Sequence, residues 1–189
     1  MTQEYLLDTN AYFNLLKEAQ LAKAEGASFS EHINTIKAGK VCVSKITTVE
    51  IISVLGKYAR GNTGGYQRCN CTISKEGETC QNNRYSRPRK RWNNRKIKAW
   101  LQLIQETTEG TSGLINLEVL PFDEETINQA QQVIQYALTH SFGSMDAMIA
   151  ATAKNAIEDK RNITVITSDK GLKACLAKCG IPCWDAFGA

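Results

Sequence analysis

Four acidic residues lie at positions that favour one kind of chemistry. They are Asp8, Glu50, Asp146 and Asp169. Asp8 and Asp169 directly follow apolar runs typical of short strands, whereas Glu50 and Asp146 fall in the predicted first turns of helices. The carboxyl ends of parallel strands meet at one edge of a sheet, where ligands bind, so we expect the four carboxylates to converge there.

A cluster of carboxylates needs a cation, because like charges repel one another at close range. Mg²⁺ and Mn²⁺ prefer oxygen ligands and commonly bind substrate phosphates, whereas a zinc site would require Cys or His. Such an ion makes a nucleophilic hydroxide available and stabilises charge on an attacked phosphate. The four acids therefore predict metal-dependent hydrolysis of a phosphodiester bond.

Each acid also has a purely structural interpretation, in which it stabilises the start of a helix. The capping groups are then Asp8 or Asn10, Thr47 with Glu50 in a capping box, Ser144 with Asp146 favoured by the helix dipole, and Asp169. Under this alternative the protein is a catalytically inactive RNA-binding or scaffold protein. Metal dependence separates the two interpretations.

The predicted strands and helices around these acids alternate along the chain. Apolar runs predict strands at residues 5–7, 41–43, 117–122 and 163–167, with a fifth at 181–184, and helical patterns follow the first four. This alternation predicts an α/β fold with a mostly parallel sheet covered by helices on both faces. The length of 189 residues and the hydrophobic content of 42% fit a single domain over residues 1–189.

The charge of the chain is concentrated in one segment. Residues 57–98 hold twelve Lys or Arg and two Glu, a charge of +10, which leaves −6 on the rest of a chain whose net charge is +4. Within this segment the periodicity fails from residue 61 to 94, which we interpret as an inserted loop. A basic arm on an otherwise acidic domain most often contacts nucleic acid, although an acidic protein or membrane surface remains an alternative.

The sequence gives no indication of a membrane or a secretory route. No run of 18 apolar residues occurs, and no basic segment followed by an apolar one opens the chain. We therefore expect a cytoplasmic protein whose seven cysteines are reduced thiols or metal ligands. Cys175, Cys179 and Cys183 are predicted to be core or near-core thiols.

The four acids occur in motifs that together resemble a known family. The motifs are Leu7-Asp8-Thr9-Asn10, Thr48-Val49-Glu50-Ile51, Ser144-Met145-Asp146-Ala147-Met148-Ile149-Ala150-Ala151 and Thr167-Ser168-Asp169-Lys170. In order and context they resemble the acidic motifs of PIN-domain ribonucleases, especially VapC-type toxins of bacterial toxin–antitoxin pairs. The third motif is the most specific, and the resemblance spans residues 4 to about 185, without the inserted loop.

The resemblance implies a PIN-like fold and a metal-dependent endoribonuclease. Asp8, Glu50 and Asp146 match the principal metal-coordinating acids, and Asp169 matches the fourth, which binds a second ion or orients water. Thr9, Asn10, Ser144 and Thr167 lie beside these acids and are expected to support them by hydrogen bonds. It further implies Mg²⁺ or Mn²⁺ as cofactor, a structured RNA such as transfer RNA as substrate, a small antitoxin as partner and a homodimer. A DNA-repair or replication nuclease is a weaker alternative, because the additional acids of such enzymes are missing.

The inserted loop carries two further candidate sites. Basic residues interleave with an aromatic one in a pattern suited to phosphate contacts and base stacking. The predicted RNA-binding residues are Arg84, Arg87, Arg89, Lys90, Arg91 and Trp92. Cys69, Cys71 and Cys80 have a spacing that could bind zinc only if a fourth ligand came from elsewhere, so ordinary reduced thiols stay an equal alternative.

Overall fold

The computed structural model describes residues 2–68, 83–139 and 141–187. The strands are β1 (Glu4–Leu7), β2 (Lys40–Ser44), β3 (Gly65–Arg68), β4 (Asn83–Ser86), β5 (Leu117–Leu120), β6 (Ile163–Ile166) and β7 (Cys183–Trp184). The helices are α1 (Thr9–Glu25), α2 (Glu31–Ala38), α3 (Lys45–Arg60), α4 (Asn94–Thr108), α5 (Glu124–Val133), α6 (Ser144–Glu158) and α7 (Lys170–Lys178).

Five of these strands form a central sheet in the order β5-β2-β1-β6-β7, and every pair in it is parallel. β1 therefore lies in the middle, paired with β2 on one side and β6 on the other. This arrangement confirms the predicted α/β fold with a parallel sheet. In a parallel sheet all carboxyl ends lie at one edge, so the residues that follow β1, β2 and β6 are brought together there.

Helices cover both faces of the sheet, because successive strand side chains point to opposite sides. Leu7, Val41 and Val43 pack with α1, α2, α3 and α4, whereas Leu6 and Cys42 pack with α6 and α7. All five side chains are buried. Since both faces are covered, the strands consist of continuous apolar runs rather than alternating ones.

Some local predictions differ from the structure. Helix α2 was not expected, since only Ile33 and Ile36 give it a buried side. The helix predicted to run through Ala137 ends at Val133 and continues as a 3-10 turn, Ile134–Leu138. Cys183 is exposed, so its prediction as a core thiol is wrong, whereas Cys175 is buried and Cys179 half-buried.

The segment predicted to be a loop, residues 61–94, contains paired strands. β3 and β4 form an antiparallel pair, with Gly65 opposite Ser86 and Arg68 opposite Asn83. Residues 69–82 lie outside the described part, and with them the three cysteines of the possible zinc site. No helix among the described residues is long and apolar enough to cross a membrane.

Candidate active site

The first acid, Asp8, is buried at the carboxyl end of the central strand. Its side chain is 3% exposed and caps α1 by accepting the backbone N–H of Ala11 at 2.6 Å. Its second oxygen accepts a hydrogen bond from the Thr167 hydroxyl at 2.5 Å. Asp8 therefore combines the capping role with an interior position that capping does not require.

Asp169 follows β6, the neighbouring strand, and is linked to Asp8 through one side chain. It caps α7 by accepting the backbone N–H of Leu172 at 2.8 Å. The backbone N–H of Asp169 donates to the Thr167 hydroxyl at 3.0 Å. The Thr167 hydroxyl thus accepts a hydrogen bond from the backbone of Asp169 and donates one to the carboxylate of Asp8. These two bonds fix the segments that follow β1 and β6 relative to each other.

Asp146 lies in the first turn of α6. Its carboxylate accepts the backbone N–H of Gly143 at 3.0 Å, and Gly143 is the N-cap residue of the helix. Ser144 is exposed and is already the first helical residue, so the interpretation of Ser144 as the cap is wrong. A glycine accepts the N-cap conformation well, which makes the serine unnecessary there.

Glu50 is not a capping residue. Helix α3 begins at Lys45 directly after β2, so Glu50 lies in its second turn, and the predicted capping box with Thr47 is wrong. The Thr47 hydroxyl is buried and has no hydrogen-bond partner among the described residues. Glu50 instead accepts a hydrogen bond from the Thr9 hydroxyl. Asn10 is exposed on the first turn of α1.

The acids interact electrostatically. The pKa of Asp8 is raised to about 6, chiefly by burial and to a smaller extent by the charges of Asp146 and Asp169, against the lowering effect of its hydrogen bonds. Burial also raises the pKa of Asp146, with added repulsion from Asp169 and Glu50. Burial and the negative charge at this edge therefore disfavour the ionised forms of Asp8 and Asp146.

This donor set fits a hard divalent cation. The four side chains offer only carboxylate oxygens, which Mg²⁺ and Mn²⁺ prefer, and an ion would offset both the burial and the repulsion that raise the pKa of Asp8. In the described part of the chain, the one group of three ligand atoms within 4.8 Å is a different one, Glu4, Cys42 and Glu118. The four acids are thus spaced more widely, in keeping with an ion that retains water ligands.

The Glu4, Cys42 and Glu118 group lies toward the amino end of the sheet and is not a second metal site. The guanidinium of Arg161 donates to both carboxylates and contacts the thiol. A fixed cation already neutralises the two acids there. Asp8, Asp146 and Asp169 differ from this group, because the charges that act on them come from one another and not from a fixed arginine.

The predicted RNA-binding residues fall into three groups. Arg87, Arg89, Lys90 and Arg91 are exposed. Trp92 is half-buried and packs against the core through Trp100 and Tyr58. Only the backbone of Arg84, in β4, is described.

One acid at the same edge was not identified from the sequence. Asp185 directly follows β7 and accepts hydrogen bonds from the Ser168 hydroxyl, at 2.6 Å, and from Lys173. The criterion that selected Asp8, an acid directly after a strand, also selects Asp185. Its pairing with Lys173 gives it a fixed cation, which distinguishes it from the other acids.

Comparison with known proteins decides the family. A family profile described as "PIN domain" matches residues 5–175. The chain belongs to the PIN domain family. The resemblance inferred from the four acidic motifs is thereby confirmed, and PIN domains are generally nucleases.

A solved structure shares this fold, and a second is more distantly similar. FitAcB from Neisseria gonorrhoeae superposes with a TM-score of 0.52 at 20% identity, covering 98% of this chain and 99% of that one. VapBC2 from Rickettsia felis, in a structure bound to a DNA fragment from its promoter, gives a TM-score of 0.48 at 14% identity, covering 96% and 98%. No curated protein matches the sequence.

Proposed function

We propose that this PIN protein is a Mg²⁺- or Mn²⁺-dependent endoribonuclease and the toxin of a type II toxin–antitoxin pair, with Asp8, Glu50, Asp146 and Asp169 as metal ligands and catalytic acids. In this proposal residues 1–189 form one PIN-like domain that acts in the cytoplasm, forms a homodimer and is inhibited by a small antitoxin. The toxin assignment is supported by the likeness of the four motifs to VapC-type proteins and by the fold shared with FitAcB.

The observation that carries the proposal is the environment of Asp8. A carboxylate that is 3% exposed and repelled by two neighbouring acids is unfavourable for folding. A cap at the surface would stabilise α1 at much lower cost, as Asp123 does for α5 by accepting the backbone N–H of Thr126 at 2.9 Å. Burial and repulsion are explained if the acids hold a cation.

The chain's own residues position these acids. Thr167 holds the carboxylate of Asp8 and the backbone of Asp169, and Thr9 holds Glu50. An ion bound by these carboxylates would supply activated water and stabilise charge on the attacked phosphate. The N-terminal ends of α1, α6 and α7 also point toward this edge, and their dipoles favour negative charge there.

The test is cleavage of total RNA by purified wild-type protein and by Glu50→Gln and Asp146→Asn, with Mg²⁺, with Mn²⁺ and with excess chelator. We expect cutting by the wild type only with a metal, and a loss of at least about 100-fold in both variants. Glu50→Gln is informative because Glu50 caps no helix. Asp123→Asn is the matched control, since Asp123 caps α5 and belongs to none of the four acidic motifs, and it should cut like the wild type.

The alternative is a catalytically inactive RNA-binding or scaffold protein. It is supported by one observation, that Asp8, Asp146 and Asp169 each accept a backbone N–H at the start of a helix. It predicts that no condition yields cutting and that Glu50→Gln changes nothing. A parallel panel of DNA substrates decides whether the nuclease prefers RNA, and preferential cutting of DNA would contradict the ribonuclease assignment.

A further inference from the structure

A group of exposed cations lies on one surface beside the C-terminal end of α3. We name this surface the basic platform and define it by Arg87, Arg89, Lys90, Arg91 and Lys96, all of them exposed. None of the five forms an ion pair with a carboxylate in the part of the chain that the structure describes. Unpaired like charges held together favour a polyanionic ligand.

The backbone of the platform is held in place on α3. Asn62 and Arg89 exchange two backbone hydrogen bonds of 2.9 Å, and Trp92 donates its backbone N–H to Ala59 at 2.9 Å. Gly61, with φ of +66°, permits this close approach, because a Cβ there would lie 2.4 Å from the carbonyl oxygen of Arg89. The platform is therefore a positioned surface and not a free arm.

Aromatic rings support the platform from below. Phe13 stacks on Tyr58 and on Trp100, with ring centroids 4.5 and 5.0 Å apart, and Trp92 lies 5.3 Å from Trp100. The Arg89 guanidinium lies over Tyr58 at 4.5 Å. Trp92 is half-buried in this packing, so its stacking on RNA bases stays a prediction, and the exposed charges beside it are free to contact phosphates.

A groove leads from the platform onto α1. A cavity of about 400 Å³ is lined by residues 89–93 and Lys96. A second cavity, of about 220 Å³, shares Trp92 and Lys96 with the first, is lined mostly by apolar and aromatic side chains and extends to Lys17 of α1. The two cavities therefore form a continuous surface on which the platform and α1 meet.

One polar face of α1 connects this groove with the acids. Asn10, Asn14 and Lys17 are spaced so that they share a helix face, and Asn10 is two residues from Asp8. Residues 10 and 17 are about 10 Å apart along the helix axis. That length corresponds to about three phosphates at the spacing of a stacked strand. Amide and ammonium groups on this face can donate hydrogen bonds to a sugar–phosphate chain.

We propose that the basic platform binds backbone phosphates of the same RNA strand that is cut at the acids, with the strand running along this face of α1. This inference rests on the proposed nuclease function and adds a size requirement. An efficient substrate extends at least about three nucleotides beyond the scissile bond on the platform side. Di- and trinucleotides reach the acids without reaching the platform.

The experiment removes two platform charges that make no ring contact, in the double variant Lys90→Gln with Arg91→Gln. Its matched control is Lys160→Asn with Lys178→Gln, two exposed cations elsewhere on the surface. Asn is chosen because Lys160 has φ of +64°, which Asn tolerates. Binding of single-stranded RNAs of 20 and 3 nucleotides is measured in excess chelator, so that no cutting occurs, at several salt concentrations.

We expect the platform variant to bind the 20-nucleotide RNA at least about fivefold more weakly at low salt, with a salt slope reduced by about 1.4. Both affinities of the control should match those of the wild type. With metal present, the platform variant should raise KM for the long RNA and leave kcat unchanged, because the charges contact only the flanking strand.

Equal binding of the long RNA by platform variant and wild type would overturn the inference. So would a platform variant that binds RNA normally but loses binding to poly-glutamate, since the surface would then serve an acidic protein. A failure of the nuclease proposal gives a different result. No RNA is then cut with any metal, but the RNA affinities measured in chelator still test the platform. Circular dichroism of both double variants establishes that a weaker binder is folded.

Discussion

Asp8 stands out because its ionised form opposes folding at neutral pH. Its pKa of about 6 in the folded protein exceeds the ordinary value of 3.8. Between these values the folded state holds more protons than the unfolded state, so stability falls as the pH rises from about 4 to 6. The cost above pH 6 is about 3 kcal/mol. The raised pKa of Asp146 acts in the same direction.

Asp8→Asn should therefore stabilise the metal-free protein. An amide accepts the backbone N–H of Ala11 without carrying charge, and we expect a gain of about 1–3 kcal/mol at pH 7 that shrinks toward pH 4. Urea unfolding in chelator across this pH range measures it. Addition of Mn²⁺ should stabilise the wild type more than the variant, since the variant has lost one of the proposed ligands.

The control for this prediction is Asp123→Asn, which removes a charge from a capping position without burial. The hydrogen bonds that Asp123 accepts from Thr126 lower its pKa, so its charge favours the folded state above its ordinary pKa. The variant should show no stabilisation at pH 7. A loss of stability in Asp8→Asn as well would contradict the view that the buried charge opposes folding.

At the scale of elements, the crevice depends on how closely α7 approaches the loop before α6. A Cβ on Gly171 would lie 1.8 Å from the carbonyl oxygen of Ser141 and 3.1 Å from the Phe142 side chain. Ser141 and Phe142 lead into Gly143, which holds the Asp146 carboxylate. The missing side chain at Gly171 thus lets the helices that carry Asp146 and Asp169 begin side by side.

Gly171→Ala should destabilise the protein although alanine is the better helix former. The overlap is with backbone, which cannot yield without moving the loop, so we expect a loss of about 1–3 kcal/mol and a lower cleavage rate in the folded fraction. Gly56→Ala in α3 is the matched control, because its Cβ would meet only the flexible end of Arg60 at 3.2 Å. It should gain up to about 1 kcal/mol. Thermal unfolding distinguishes the two, and a Gly171→Ala protein as stable as Gly56→Ala would refute the packing argument.

The order of the elements could be predicted from the sequence, because buried parallel strands leave apolar runs and their helices follow at once. The start of α3 could not. The pattern Thr47-Thr48-Val49-Glu50 satisfies the local rule for a capping box, but β2 runs directly into the helix, which has already begun at Lys45. Rules based on local sequence identify residues that are compatible with the start of a helix. They do not determine where the preceding strand ends, because that depends on its pairing with other strands.

The basic platform shows a second limit of sequence reasoning. Its position depends on backbone pairs between Asn62 and Arg89 and between Ala59 and Trp92, which connect segments about 30 residues apart. No periodicity marks such pairs. The same tertiary contacts leave Trp92 half-buried against the core, although Arg91 and Asn93 on either side of it are exposed.

At the scale of the whole molecule, the two ends of the sheet hold acids in opposite ways. Toward the amino end, burial tends to raise the pKa of Glu118, but hydrogen bonds from Arg161 and Lys40 lower it to about 2. Burial raises the pKa of the Cys42 thiol beside them to about 12. The acids at the amino end are neutralised by Arg161 and Lys40. The acids at the carboxyl end still repel one another, and that end is the one suited to bind a cation.

Arg161→Met should destabilise the fold and leave the chemistry intact. It deprives Glu4 and Glu118 of their shared partner, at a cost of about 2–3 kcal/mol, below that of a fully buried pair because these side chains are partly exposed. Lys23→Met, which breaks an exposed pair with Glu106, is the control and should change little. Chemical unfolding together with kcat per folded molecule checks this, and a lower kcat in Arg161→Met would show that the amino end influences the site.

The place of β1 in the middle of the sheet has a consequence during protein synthesis. The hydrogen bond between Asp8 and Thr167 joins residues 159 positions apart, and β1 pairs with β6 only after most of the chain exists. At 5–20 residues per second, a ribosome needs roughly 8–30 s to proceed from Asp8 to Asp169. Throughout that interval the acids are separated and one edge of β1 is unpaired. An incomplete chain of the proposed nuclease thus has no assembled crevice with which to cut the messenger or transfer RNA beside it.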